Sequence, residues 1–228
     1  MKRLIKCATV GVITTLAALT PATLFAEEAV ATAAQRKFIK GSIVDKTAAV
    51  REASGSERQL AEAGLDFVIA NQPYLGNDRD LAALAVASIL ALPKADGADT
   101  AYLERISDKL VAVFNGCTDE TVRITVLDKL APLAALAKSE KAVQLMNAYL
   151  REAAEASSVT LATLAALGQV GNSESFAIVY AAWKENRWPQ YAAELETALV
   201  QLSERHSTEA VKVVRAASIS ETADYFAL

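Results

Sequence analysis

The residue types that usually make nucleophiles and metal sites are scarce here: one histidine, His206, and two cysteines, Cys7 and Cys117. Ser203, Glu204 and Ser207 flank His206 and together supply the partners of a hydrolytic triad. A triad, however, is assembled from distant segments brought together by a fold. These neighbours share one polar stretch at a helix end, where a cation near the C-terminus is favoured. No Cys-x-x-Cys, His-Glu-x-x-His or glycine-rich phosphate loop occurs. Gly168 and Gly171 flank two residues at an expected helix end, which is turn chemistry and not a nucleotide cradle. Asn77, Asp78, Asp80, Asp96 and Asp99 offer oxygen donors near turns, but without the alternation of a calcium loop, and read as solvated caps. The residues therefore imply no catalytic set, no metal and no cofactor.

One concentration stands out. Five of the 14 aromatic residues, Phe176, Tyr180, Trp183, Trp188 and Tyr191, fall within 16 positions. Tyr180, Trp183 and Arg187 share one helical face, and Trp188-Pro189 opens the next helix. Tyrosine, tryptophan and arginine dominate binding hot spots, so Tyr180, Trp183, Arg187, Trp188 and Tyr191 form the candidate partner-binding site. The competing reading makes the same rings the filling of a wide helix junction. If they form a surface, Trp183→Ala and Trp188→Ala leave melting unchanged and abolish partner capture.

The elements that position these residues are helices. Apolar residues make up 53% of the chain and aromatic residues 6%, with nine glycines, and alanine and leucine dominate. That composition excludes a disordered chain and a β-sandwich. Turn-forming clusters fall at 54–56, 73–76, 93–97, 115–116, 138–139, 157–158, 171–172, 187–189 and 206–207. The segments between them carry apolar residues at helical spacing: Leu60, Leu65, Val68 and Ile69 in one; Leu81, Leu84, Ala85, Ala87, Ser88 and Leu92, widened by Val86, Ile89 and Leu90, in the next. Asp78, Asp99 or Thr100, Thr118 or Asp119, Ser139 and Ser173 are candidate N-caps. About ten short helices follow, the expected number for breaks at this spacing. Taken in pairs, the second helices start near Asp78, Asp119, Ser158 and Pro189. Units of that length made of two antiparallel helices belong to α-solenoids, with an irregular helical bundle as the alternative.

Val122-Arg123, followed by Val126, Leu127 and Leu130, resembles the Val-Arg second helix of HEAT repeats. The run Ala165-Ala166-Leu167-Gly168-Gln169-Val170-Gly171-Asn172 resembles the junction of the short HEAT-like repeats also found in phycobilisome lyases. Pro132 departs from that pattern and is expected to kink or end its helix. The resemblance spans about 78–205, and it implies a fold and not an activity. On a curved stack of this kind the second helices would line the concave side, with Arg79, Arg123, Lys129, Thr160 and Gln169 outward, Arg123 being alternatively paired with Asp119 or Glu120.

Residues 1–26 have a basic start, an uncharged middle and Ala26 before Glu27-Glu28, the marks of a secretory signal peptide, with 27–228 as a single helical-repeat domain. Leu24 is large for its place, and cuts after Ala31 or Ala33 are alternatives. Removing the leader takes away Lys2, Arg3 and Lys6 and leaves 20 basic against 27 acidic residues. No basic run survives to attract nucleic acid or an anionic membrane. Cys117 then has no internal disulfide partner and reads as a buried thiol near a helix junction. The expectation is an exported, non-catalytic scaffold of the periplasm or cell envelope that binds another protein or peptide without stable membrane insertion. The alternative is a periplasmic carrier or chaperone with an apolar ligand or peptide in its groove.

Overall fold

The computed structural model of the chain describes residues 32–53, 58–93 and 99–226. The expected leader, the break at 54–56 and Asp96 lie outside the described residues, as do the side chains of Tyr225 and Phe226. The described residues form eleven α-helices and one 3-10 turn, with no strand among them. These are α1 (Ala33–Lys40), α2 (Ile43–Glu52), α3 (Arg58–Leu75), α4 (Arg79–Ala91), α5 (Thr100–Gly116) and α6 (Glu120–Ala137). They continue as α7 (Glu140–Glu152), α8 (Ser158–Val170), α9 (Ser173–Lys184), the turn Pro189–Tyr191, α10 (Ala192–Arg205) and α11 (Ser207–Phe226). The fold is all-α.

The helix starts follow the capping chemistry. Asp78, Asp99, Asp119 and Ser139 accept from free N–H groups in the first turns of α4, α5, α6 and α7. At α9 the cap is Asn172, one residue earlier than expected, because its Oδ1 takes the Ser175 N–H at 3.0 Å while Ser175 Oγ returns a bond to the Asn172 N–H. A break between α1 and α2 at Gly41-Ser42, not expected from the sequence, is made by a Ser-x-x-Asp box: Asp45 accepts from the Ser42 hydroxyl at 2.8 Å and the Ser42 N–H at 3.0 Å. Gly76, and not Pro73, ends α3; it takes φ +57°, a left-handed conformation open to glycine. Pro132 does not end α6, which continues to Ala137.

The helices pack in two interleaved series. Even-numbered helices touch along the chain, α2 on α4, α4 on α6, α6 on α8 and α8 on α10. Odd-numbered ones follow the same order, α3 on α5, α5 on α7, α7 on α9 and α9 on α11. Cross-contacts join each helix to the next in the pairs α1–α2, α3–α4, α5–α6, α7–α8 and α9–α10. Between the series lies the core, with Leu60, Leu84, Leu110, Leu127, Leu130, Met146, Leu150 and Leu164 closed to solvent. Close approach depends on small residues: a Cβ on Gly64 of α3 would stand 2.0 Å from Ser88 Oγ of α4.

Charge divides the two series. Odd helices are laced by surface ion pairs: Arg105 of α5 with Glu62 of α3 at 3.2 Å, Lys109 with Asp66 at 2.8 Å, and Lys141 of α7 with Asp108 of α5 at 2.9 Å. The hydrogen bond that Arg105 donates to the Glu62 carboxylate holds its guanidinium above its ordinary value. Such exposed pairs contribute little individually, about 0–1 kcal/mol each, and serve mainly to favour one register. On the even helices α8 has no charged residue at all.

Two outcomes follow from this packing. Leu127→Ala should cost about 2–5 kcal/mol in urea denaturation. Ser88→Ala should not lower stability, because Ser88 Oγ is buried without a partner. The Ser42 hydroxyl and then its N–H hold the Asp45 carboxyl below the usual carboxylate range. The folded value lies under the unfolded one, so this contribution is complete above the unfolded value and is lost as pH falls through the folded one. Melting curves of wild type and Asp45→Asn should therefore differ near neutrality and converge in acid; parallel curves would contradict the capping role.

Candidate functional site

The residues first considered for chemistry serve the fold. His206 ends α10, and its Nε2 lies 3.0 Å from the Gly171 carbonyl at the end of α8. Ser203 Oγ donates to the Val200 carbonyl instead of to the imidazole. Cys117 is a buried free thiol at the end of α5, as expected of a helix junction. Asp78 and Asp99 are occupied as caps, and Asn77 Oδ1 accepts the Thr118 hydroxyl of the next turn. Gly171 caps α8, whereas Gly168 lies inside that helix, where a Cβ would strike Gln201 Oε1 of α10. Among the described residues no group of three His, Cys, Asp or Glu is placed to hold a metal ion.

Of the five residues expected on the outward side of the second helices, only Arg79 and Gln169 are exposed. Thr160 is fully buried; its hydroxyl lies 3.0 Å from Ser157 Oγ inside the first turn of α8. Lys129 Nζ donates to the Leu92 carbonyl at 2.7 Å, closing the end of α4, and burial holds its amine below its ordinary value. Arg123 pairs with neither Asp119 nor Glu120. Its Nε donates to the Cys117 carbonyl at 2.6 Å and its guanidinium stands over Phe114 at 5.0 Å and Tyr149 at 6.0 Å. Composition makes these cations look free, but the unpaired carbonyls at helix ends claim them.

The aromatic cluster divides into a wall and an anchor. Phe176 and Tyr180 stack with ring centres 6.0 Å apart, and Trp183 follows at 6.0 Å from Tyr180. Trp183 is 41% exposed, with Nε1 3.4 Å from Glu196 Oε1 of α10. Tyr180 and Tyr191 are half-buried. Arg187 donates to Glu185 at 2.7 Å and covers the Trp188 ring at 5.6 Å. Trp188 itself is 1% exposed, and its Nε1 is buried without a partner. It faces the interior because the turn Pro189–Tyr191 folds the chain between α9 and α10 and leaves a wide junction that only a large ring fills. The accessible part of the candidate site is therefore Trp183 with the edges of Tyr180 and Tyr191, and Trp188 is its internal support.

Against this arrangement, comparison with known proteins finds no family model, no curated protein and no solved structure that matches the chain.

The two tryptophans separate structure from surface. Trp188→Ala should cost about 3–5 kcal/mol in chemical denaturation, as expected for a buried ring. Trp183→Ala should stay within about 1 kcal/mol of wild type, since its ring stands half in water. Comparable losses at both positions would place Trp183 in the core.

Proposed function

We propose that this chain is an exported, non-catalytic scaffold of the cell envelope, built as a HEAT-like solenoid of stacked helix pairs, whose Trp183 surface binds another protein. The observation carrying the reading is the periodicity of its internal bonds. Arg105 to Glu62 spans 43 residues, Thr118 to Asn77 41, Ser158 to Glu120 38, Arg205 to Gly168 37 and Lys141 to Asp108 33. Each spans about one helix pair, as it does where every repeat touches only its neighbours. Such a stack has no reason to curl into a closed core, and it leaves a long face open to partners.

Secretion rests on the basic and then uncharged leader. No described helix is long and apolar enough to cross a membrane. The carrier alternative draws on the troughs between even helices, about 320 Å³ between α2 and α4 and about 190 Å³ between α8 and α10. Both are open, the first only just above the lower bound of about 300 Å³ for small-molecule sites and the second below it, which favours a protein partner.

The test is affinity capture from envelope extract with 27–228 as bait, comparing wild type with Trp183→Ala. A stoichiometric partner held by wild type and lost by the folded variant is the expected result. No partner for either bait would remove the scaffold reading. Sequencing of the secreted protein's N-terminus should find Glu27 first; a retained Met1 would overturn export by cleavage.

A further inference from the structure

The even-numbered helices share a second open face, and its chemistry is distinct from that of the Trp183 surface. On α6 the stripe toward solvent is Thr121, half-buried Thr125, Asp128, Pro132 and Ala135, each one turn from the next. On either side α4 offers Val86 and Leu90, and α8 offers Leu161, Ala165 and Gln169. Leu90 is 70% exposed and Leu136, at the end of α6, 54%. A helix apolar on all sides is normally covered on all sides. From Leu81 to Ala91 α4 carries no charge, α6 carries none after Lys129, and α8 carries none throughout.

Asp128 is the exception in the middle of this field. Its side chain is exposed and makes no hydrogen bond or ion pair with any described residue. Its neighbour Lys129 is committed to the Leu92 carbonyl and cannot neutralise it. Pro132, four residues on, has no N–H, so the main-chain carbonyl of Asp128 also lacks its helical donor. A carboxylate and a free carbonyl thus stand together on one exposed stripe, both acceptors, ringed by apolar and small residues. Water can satisfy them when the face is open. An apolar occupant would strand them, unless it brought its own donor and positive charge.

We propose that the face over α4, α6 and α8 binds an amphipathic helical segment of a partner protein that carries one arginine or lysine within its apolar side. The inference rests on the reading of the chain as an interaction module. Charge complementarity selects the occupant: the apolar flanks take leucine- or alanine-type side chains, and Asp128 takes the cation by a charge-assisted bond. The small side chains of Ala135 and Ala165 leave room for a helix to approach closely. Pro132 is costly inside a helix, and its missing N–H leaves an acceptor for the ligand.

The probe is a designed Leu/Ala helical peptide with one arginine in its apolar face, and a twin with norleucine there. Binding to the full chain is read by fluorescence anisotropy of the labelled peptides. The arginine peptide should bind wild type, and about tenfold more weakly to Asp128→Asn, the size of loss expected for a bond to a charged group. The norleucine twin should bind both proteins equally weakly. Pro132→Ala should raise the melting temperature while weakening the arginine peptide, a split that a purely structural proline would not give. Equal binding of the two peptides by wild type, no binding of either, or an Asp128→Asn variant indistinguishable from wild type would overturn the proposal. So would a protein that is dimeric by sedimentation and dispersed by Asp128→Asn, which would assign the face to a second copy. None of these outcomes touches capture through Trp183, so failure here leaves the scaffold reading standing.

Discussion

Every helix ends with carbonyls that have no donor within the helix, and short turns leave little room for water to reach them. Here even-numbered helices supply cations to those ends. Lys46 of α2 donates to the Phe38 carbonyl of α1, and its amine also stands 5.1 Å from the Phe38 and Phe67 ring centres. Lys129 of α6 closes α4, Arg123 of α6 closes α5, and Arg205 of α10 binds the Leu167, Gly168 and Gln169 carbonyls of α8. Burial holds Lys46, Lys129 and Arg205 below their ordinary values, opposed only in part by Asp45 at Lys46. The cations are bound by aligned peptide dipoles instead. The register of α6 on α4 and of α10 on α8 is thereby fixed, because Lys129 and Arg205 reach back to the ends of those helices.

That arrangement also explains how the two series come to differ. With cations drawn to the helix ends, α8 is uncharged over its whole length and α4 from Leu81 to Ala91, and α8 packs closely on α10 through Gly168 against Gln201. The odd helices keep longer charged side chains and are joined by ion pairs such as Lys109 with Asp66. Between α7 and α9 a buried polar link fixes register: Ser175 Oγ donates to Asn147 Oδ1 at 2.8 Å, and Asn147 Nδ2 lies 3.4 Å from Glu174. Buried polar bonds of this kind tolerate little sliding, since displacement leaves their atoms unpaired.

Helicity, the turn positions and four of the five proposed caps were legible in the sequence because they depend on local chemistry. The stripe read in α4 was largely correct: Leu81, Leu84, Ala85, Ala87, Ser88, Ile89 and Leu92 are buried. Leu90, read as part of that stripe, points outward, since helical spacing alone cannot say which side of an apolar helix has a neighbour. The division at Gly41 was missed because α1 has only eight residues and no long apolar run to interrupt. Thr160, Arg123 and Lys129 were misplaced for one reason: a polar side chain's destination depends on which polar atoms the packed helices bring beside it. The roles of Trp183 and Trp188, alike in composition, were separated only by the turn at Pro189–Tyr191.

The unevenness of the open surfaces bears on what the molecule is shaped to do. A fold that needed only stability would favour charges where water reaches, in the manner of the ion pairs that join α3, α5 and α7. The even face instead exposes Leu90 and Leu136, and the α9–α10 corner exposes Trp183 over the buried Trp188. Neither feature contributes to the packing behind it: removing an exposed leucine or a half-exposed ring leaves the core residues covered. Residues that the fold does not require, held on a framework whose register is fixed by buried cations, give a rigid presentation of apolar surface. Rigidity lowers the ordering cost of association, so modest surfaces can bind usefully. The same cations that close the helix ends thus keep the two exposed surfaces in fixed positions.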